Sequence, residues 1–497
     1  MLVDVSTLLP AVTVTPGLFA LVAALLVGRR YRWLGYAGAS IAGLGFLIAC
    51  LLAVFAARGI GVDRVAAVLL LLVFGVSTVV QAFAIRYLAG DPRAVRFTAG
   101  ASLLTSASAG MVTATTLPGL AVGWTLVGVA LCLLLGMYWH LPAARDGVRR
   151  TAIAFLIGDL ALWVAVVIVT ARWGVSDLRA LAGESFTGPL VPIVGCLAVV
   201  AALSRSAQVP FHKWLPATLA APTPVSALLH AGVVNAGGIL LLRLAPLVSG
   251  DVARALTIVA GATTLVYGAV VMLVKPDIKG ALANSTMAQM GFMILTCGLG
   301  LWAATIFHLV AHGFYKATLF LSSGSAVAAR RRAVFNPLPP VMTGRRRLLN
   351  GVLAVILPGA ALYAATLVIP LSADGQHAEQ ALLIFAWVTG AAATWGWLGH
   401  RSGPPGLVTV MAVLPPVAIA YLGLVYAATH YLAPALPAAT PSALSWPILA
   451  ALVTTLAAVA AVRWSPGTSL HRAIYARALS AGYISSSLPA QSRGARS

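Results

Sequence analysis

Apolar runs of about 20 residues follow one another along almost the whole of this chain, parted by short stretches rich in arginine, glycine and proline. An α-helix of that length, rising ~1.5 Å per residue, crosses the ~30 Å hydrocarbon layer of a bilayer. Lipid offers no water to unpaired backbone groups, so such runs have to fold as helices that satisfy their own hydrogen bonds. Composition agrees: 60% of the 497 residues are hydrophobic and 9% are charged, where a soluble domain carries about 25% charged residues. A soluble fold has too little polar surface to cover so apolar a chain. The sequence therefore predicts an all-α, polytopic membrane bundle of about fifteen transmembrane helices. The spans are 8–28, 33–57, 65–89, 97–116, 118–140, 151–172, 188–220, 223–247, 252–274, 281–300, 302–328, 348–370, 378–399, 404–430 and 445–464. Residues 1–464 make one transmembrane domain, and 465–497 make a basic cytoplasmic tail.

A net charge of +21 would suit a nucleic-acid partner if it formed one basic face. Instead the arginines stand in short clusters between apolar runs: Arg29, Arg30 and Arg32; Arg145, Arg149 and Arg150; Arg330, Arg331 and Arg332; Arg345, Arg346 and Arg347. That is the pattern of cytoplasmic loops, and it argues against nucleic acid. The clusters occupy alternate loops, and the others are weakly charged or acidic, as at Asp374 and Glu379. The expected topology has the N-terminus outside and the C-terminus in the cytoplasm, in a plasma (inner) membrane. The first run lacks a basic flank ahead of it and an A-x-A site behind it, so it reads as a span rather than a cleaved signal. Cys50, Cys132, Cys196 and Cys297 each sit alone in an apolar run, as small buried hydrophobes do. The tail places Leu470, Ile474, Tyr475 and Leu479 near helical spacing. No hydrophilic stretch is long enough for a soluble catalytic domain, so no cofactor is expected in this chain and any soluble catalysis falls to a partner.

Ionisable groups inside a span cost roughly 2.5–3.5 kcal/mol or more, so each is a candidate functional residue. The stretch SRSAQVPFHKWLPATLAAPTPVSALLHAG holds Pro210, Pro216, Pro222 and Pro224. Proline removes a backbone donor and breaks the helical ladder. Irregular backbone at membrane depth persists only inside protein or against a wet cavity, and transporters build ion sites on such breaks. Arg205 precedes this break and Lys213 follows it. Pro222 and Pro224 suit the first turn of the next helix, which carries Ser226 and His230 four residues apart on one face. The competing reading is a plain proline kink.

Further on, His308, His312 and Lys316 recur every four residues, ~6 Å apart along one helix face. Histidine titrates near neutral pH and burial draws lysine toward that range, so the three make a candidate proton relay. Packed, hydrogen-bonded histidines are the other reading. A metal site would want a carboxylate or cysteine nearby, and this run has none. Asp159 is the acid that falls clearly within a span, and it is expected to be the counter-charge of a cation on another helix, with Arg205 the first candidate. The segment VKPDIKGALANSTMAQMGFMIL reads as structural, with Lys275 and Lys279 snorkelling at a helix start.

Three blocks, SAQVPFHKWLPATLAAPTPVSALLHAG, DIKGALANSTMAQMGFM and FHLVAHGFYKATLFLSSGS, resemble the core of the antiporter-like subunits. That family includes proton-pumping subunits of respiratory NADH–quinone oxidoreductase and of multisubunit sodium/proton antiporters, and the resemblance covers roughly residues 90 to 330. It implies a bundle with two inverted five-helix repeats, each with one broken helix, and translocation of protons or cations along a polar axis. Arg205 stands at the position of the family's broken-helix lysine, and His230 at the histidine of its PTPVSALxHA motif. His308, His312 and Lys316 match its central relay, and Asp159 the aspartate of its sixth helix. The chain also departs from the pattern. Thr125 in GWTLVG replaces an expected glutamate, Arg205 cannot release a proton, and the second broken helix, expected in 348–370 with its break near Pro358, lacks an ionisable residue. The run APTPVSALLHAGVVNAGGILLLR resembles the membrane subunit of the DAB inorganic-carbon accumulation complex. That branch implies coupling of an ion gradient to CO2/bicarbonate uptake, with a large soluble partner holding a zinc site like that of carbonic anhydrase.

Overall fold

The structure, a computed structural model, describes residues 5–26, 32–327, 344–371, 376–401, 403–437, 445–464 and 468–482. Among these residues nine helices are long and apolar enough to cross a membrane, and the protein is a multi-pass membrane bundle. The arginines at 29, 30 and 330–332, and the end of the tail beyond 482, lie outside the described residues.

The chain packs as two compact units. The first comprises Met1–Gly300, Leu309–Ser323 and Ser442–Ser497. Its helices are α1 (Val5–Leu25), α2 (Arg32–Ala57), α3 (Arg64–Tyr87), α4 (Ala94–Val112), α5 (Leu117–Leu135) and α6 (Pro142–Trp173). Then come α7 (Leu190–Arg205), the short α8 (Thr223–Ala231), α9 (Ala236–Arg243) and α10 (Ala245–Val248), and the long α11 (Asp251–Val274) and α12 (Ile278–Gly298). Helix α13 (Trp302–Leu321) gives its first turns to the second unit and the rest to the first. The second unit also holds α14 (Gly344–Val368), α15 (Gln376–His400) and α16 (Pro404–Leu432); α17 (Ser445–Trp464) and α18 (Ser469–Gly482) return to the first.

Hydrophobic residues stand on the outside as well as within. Leu18, Leu44, Leu47, Leu133, Leu156 and Leu160 are exposed, which suits a surface solvated by lipid tails. Without a hydrophobic drive between helices in lipid, close packing relies on small residues. On α11, a side chain at Gly261 would sit 2.6 Å from the Leu295 backbone nitrogen and one at Gly268 2.5 Å from that of Ala288, so glycine is what lets α11 and α12 touch backbone to backbone. The division between α4 and α5 is set by Thr116, whose hydroxyl accepts the Gly119 N–H at 3.2 Å while Pro118 fills the first turn.

One expectation fails in the second unit. Helix α14 runs unbroken through Pro358. Beside the proline, the Trp387 indole donates to the Val355 carbonyl at 2.8 Å, three residues ahead of it.

Candidate functional site

Helix α7 stops at Arg205 because the backbone turns there. Ala207 adopts φ +50°, a left-handed conformation that a non-glycine residue takes only where packing fixes it. The chain then runs through a cis Val209–Pro210 bond into a 3-10 stretch, Phe211–Ala220. The freed polar groups are met from outside. Val209 N–H donates to Thr264 on α11 at 3.0 Å, and the Trp214 indole donates to the Ser204 carbonyl at 2.9 Å.

Arg205 is fully buried. Its Nη2 donates to Asp159 Oδ1 at 2.6 Å and its Nη1 to the Trp124 carbonyl at 3.1 Å. The guanidinium lies over the rings of Trp124 and Phe155, 4.5 and 4.1 Å from their centroids. Gly158, one residue before Asp159, gives α6 the room to meet α7, since a side chain there would strike the Ser204 hydroxyl. The group is a fixed, paired charge: arginine holds its proton, so the pair can set a local field but cannot relay. At Thr125, where relatives are expected to carry an acid, the hydroxyl instead accepts from the Trp163 indole at 3.2 Å.

A second break follows. The run expected as one span, 223–247, is parted at Gly232–Asn235 into α8 and α9. Three carbonyls freed there are taken by side chains. Ser206 Oγ donates to Val234 O at 2.7 Å, Asn235 Nδ2 to Ala231 O at 2.8 Å, and His312 Nε2 to His230 O at 3.2 Å. Gly313 leaves room for this contact, because a side chain there would come within 2.8 Å of Ala231 O.

The titratable cluster surrounds this break. His230, His312 and Lys316 are all buried. His230 stacks on Phe320 with centroids 4.3 Å apart, and its Nδ1 lies 3.1 Å from Thr286 Oγ1. The Thr286 hydroxyl spends its proton on Leu282 O at 3.0 Å, so His230 Nδ1 is the donor of that pair. Lys316 Nζ donates to Ser285 Oγ at 2.9 Å and reaches Leu282 O at 3.5 Å. His312 directs Nδ1 at the Gln289 amide oxygen. With the His230 carbonyl on its other nitrogen, the ring faces two acceptors and bonds both only when doubly protonated. Turning the Gln289 amide over offers an N–H and suits the singly protonated ring.

The structure thus brings together Arg205 with Asp159, and His230 with His312 and Lys316. His308, one turn before His312 on α13, is buried and meets the edge of Phe385 at 4.8 Å within the second unit. Lys213 is exposed on the 3-10 stretch and joins neither group. Pro210 closes the first break, and Pro222 and Pro224 open α8. The start of α12 reads as structural in the sequence, yet the helix belongs to the site. Its Ser285, Thr286 and Gln289 line one face beside the cluster, and the signal was an uncharged polar stripe at helical spacing in an apolar run.

Two family profiles match this chain. That described as "NADH:quinone oxidoreductase/Mrp antiporter, TM" covers residues 114–336, and that for the N-terminus of NADH-ubiquinone oxidoreductase chain 5 covers 56–98. The chain is 36% identical over 353 residues to a probable inorganic carbon transporter subunit DabB1 of Halothiobacillus neapolitanus, covering 66% of this chain and 62% of that one. It is 33% identical over 376 residues to DabB of Bacillus subtilis, covering 72% and 70%. It is 36% identical over 277 residues to NADH-quinone oxidoreductase subunit L of Mycobacterium tuberculosis, of which it spans 44%. The solved Mrp complex from Dietzia sp. contains a chain of the same fold, with TM-score 0.64, 23% identity, and coverage of 97% of this chain and 59% of that one.

Proposed function

The chain belongs to the NADH:quinone oxidoreductase/Mrp antiporter family of membrane subunits, and on that footing we propose that it moves protons for a complex that takes up inorganic carbon. The observation that carries the reading is the buried cluster of His230, His312 and Lys316 on two helices, with α12 supplying a hydroxyl or an amide to each. Buried groups able to gain and lose protons, hydrogen-bonded around a helix break, are what proton transfer through a bundle requires. Sodium would want several oxygen ligands, and Asp159 is already engaged by Arg205. Similarity to the inorganic carbon transporter subunits supports uptake of inorganic carbon, as CO2 or bicarbonate, as the driven process, and the partner we propose for it is a soluble zinc protein resembling carbonic anhydrase. His308 extends the relay by one turn of α13, and the arginine-rich loops face the cytoplasm.

In cells that make this chain with its partner, Lys316→Ala at normal expression should abolish cation-dependent bicarbonate accumulation; normal accumulation would sink the reading. Similarity to subunit L supports a second reading, a proton-pumping subunit of a quinone oxidoreductase. Co-purification separates them: a tagged copy brings down either a large zinc-holding soluble protein or a set of quinone-oxidoreductase subunits.

A further inference from the structure

Two cavities lie along α3 in the first unit, the outer one lined by Gln81 and the inner one by Ser77, one turn away. The inner one, about 50 Å³, is bounded by the α8–α9 break at Gly232 and Asn235, by Ser77 on α3, and by Thr105 and Ser108 on α4. The outer one, about 360 Å³, is lined by Gln81 and Thr98 and reaches Asp91 and Arg32 at one membrane surface. A cavity needs roughly 10–15 Å³ to admit a water and polar groups to hold it, so the outer one has room for several, and the inner one, whose wall is mostly apolar, offers water its polar places at Ser77, Thr105, Ser108 and Asn235.

The polar groups are placed for water. Asn235 Oδ1, on the inner cavity, and Gln81 Oε1, on the outer one, are buried acceptors without a protein partner. Asn235 is fully buried and Gln81 is 4% exposed, and an acceptor so placed is costly unless water reaches it. Between the cavities runs a hydrogen-bonded file: Gln81 Nε2 donates to Ser77 Oγ at 2.9 Å, and Ser77 Oγ lies 2.6 Å from Thr105 Oγ1. The Thr105 hydroxyl donates to the Ala101 carbonyl at 2.8 Å, so Ser77 Oγ is the donor of that pair. Gly38 on α2 leaves the space the Gln81 amide occupies, for a side chain there would approach Gln81 Oε1 to 2.6 Å.

We propose that α3 and α4 enclose a hydrated branch, gated by Gln81, through which water and protons reach the α8–α9 break from the surface that carries Asp91. The proposal rests on the reading of the chain as a proton conductor. Its ligand is water, and its gate is the swing of one amide.

Radiolytic hydroxyl-radical footprinting of the full chain in its native membrane tests the branch directly. Met111 lines the inner cavity yet is 4% exposed; Met290 on α12 is fully buried and lines neither cavity. Water in the branch oxidises Met111 at least roughly ten-fold faster than Met290. Equal, slow oxidation of the two overturns the branch. In vesicles, Gln81→Leu lowers proton flux by roughly ten-fold; wild-type flux in that variant overturns the role of the branch in transport. Should Lys316→Ala also leave flux intact, it is the conducting function that fails, and Met111 oxidation still decides whether the branch holds water.

Discussion

Arg205 holds a charge it cannot release, and Asp159 is what makes that charge tolerable inside the bundle. Removing one partner of a buried pair costs about 3–5 kcal/mol, whereas replacing both with apolar groups of similar size is often neutral. Asp159→Asn should therefore lower the thermal midpoint of the purified chain, and Asp159→Leu combined with Arg205→Met should recover most of the loss. A double variant as unstable as the single one would show that the pair does more than neutralise itself. Gln289 has a different task. Its amide bonds either charge state of His312 by turning over, so Gln289→Leu leaves the ring without that adjustable partner. Proton flux in vesicles should fall by roughly ten-fold, since a buried ring nitrogen then loses its hydrogen bond in one of its two states. Unchanged flux would remove Gln289 from the path.

The helices show which parts of the site could be read in the sequence. Prolines announced the break after Arg205, and charge announced the Arg205–Asp159 pair and the α13 residues. The break between α8 and α9 was not announced, because Gly232–Asn235 reads as apolar run. It exists because Ser206 and His312 arrive from elsewhere, and Asn235 turns back locally, to take the freed carbonyls, and the first two contacts are tertiary information. Pro358 misled in the opposite direction: the helix carries on through it, with the Trp387 indole bonded to the nearby Val355 carbonyl. The link from α3 to α4 offers a test at this scale. Burial raises the Asp91 carboxyl, but the Tyr138 hydroxyl at 2.6 Å, the Arg93 N–H at 2.8 Å and the Arg93 charge outweigh it and hold Asp91 below its ordinary value. A carboxylate depressed on folding stabilises above its unfolded value of about 3.9 and loses that contribution as pH falls through the folded one. The gap in thermal midpoint between wild type and Asp91→Asn should thus be widest near neutrality and close in acid. A gap independent of pH would mean that the carboxylate's charge is not what holds this link.

At the scale of the whole molecule, membrane residence followed from apolar runs of spanning length and from scarce charge, and the family from three sequence blocks around the breaks. The two packing units were not legible, because their division passes through the middle of α13 and leaves no change of composition to mark it. Protons are proposed to cross the bundle at the buried His230–His312–Lys316 cluster. Proton uptake after an acid pulse, in inverted vesicles holding the chain with its co-purifying partner, tests it most directly. Lys316→Ala should reduce uptake to that of vesicles lacking the chain; uptake at the wild-type rate, with equal amounts of protein, would rule this pathway out.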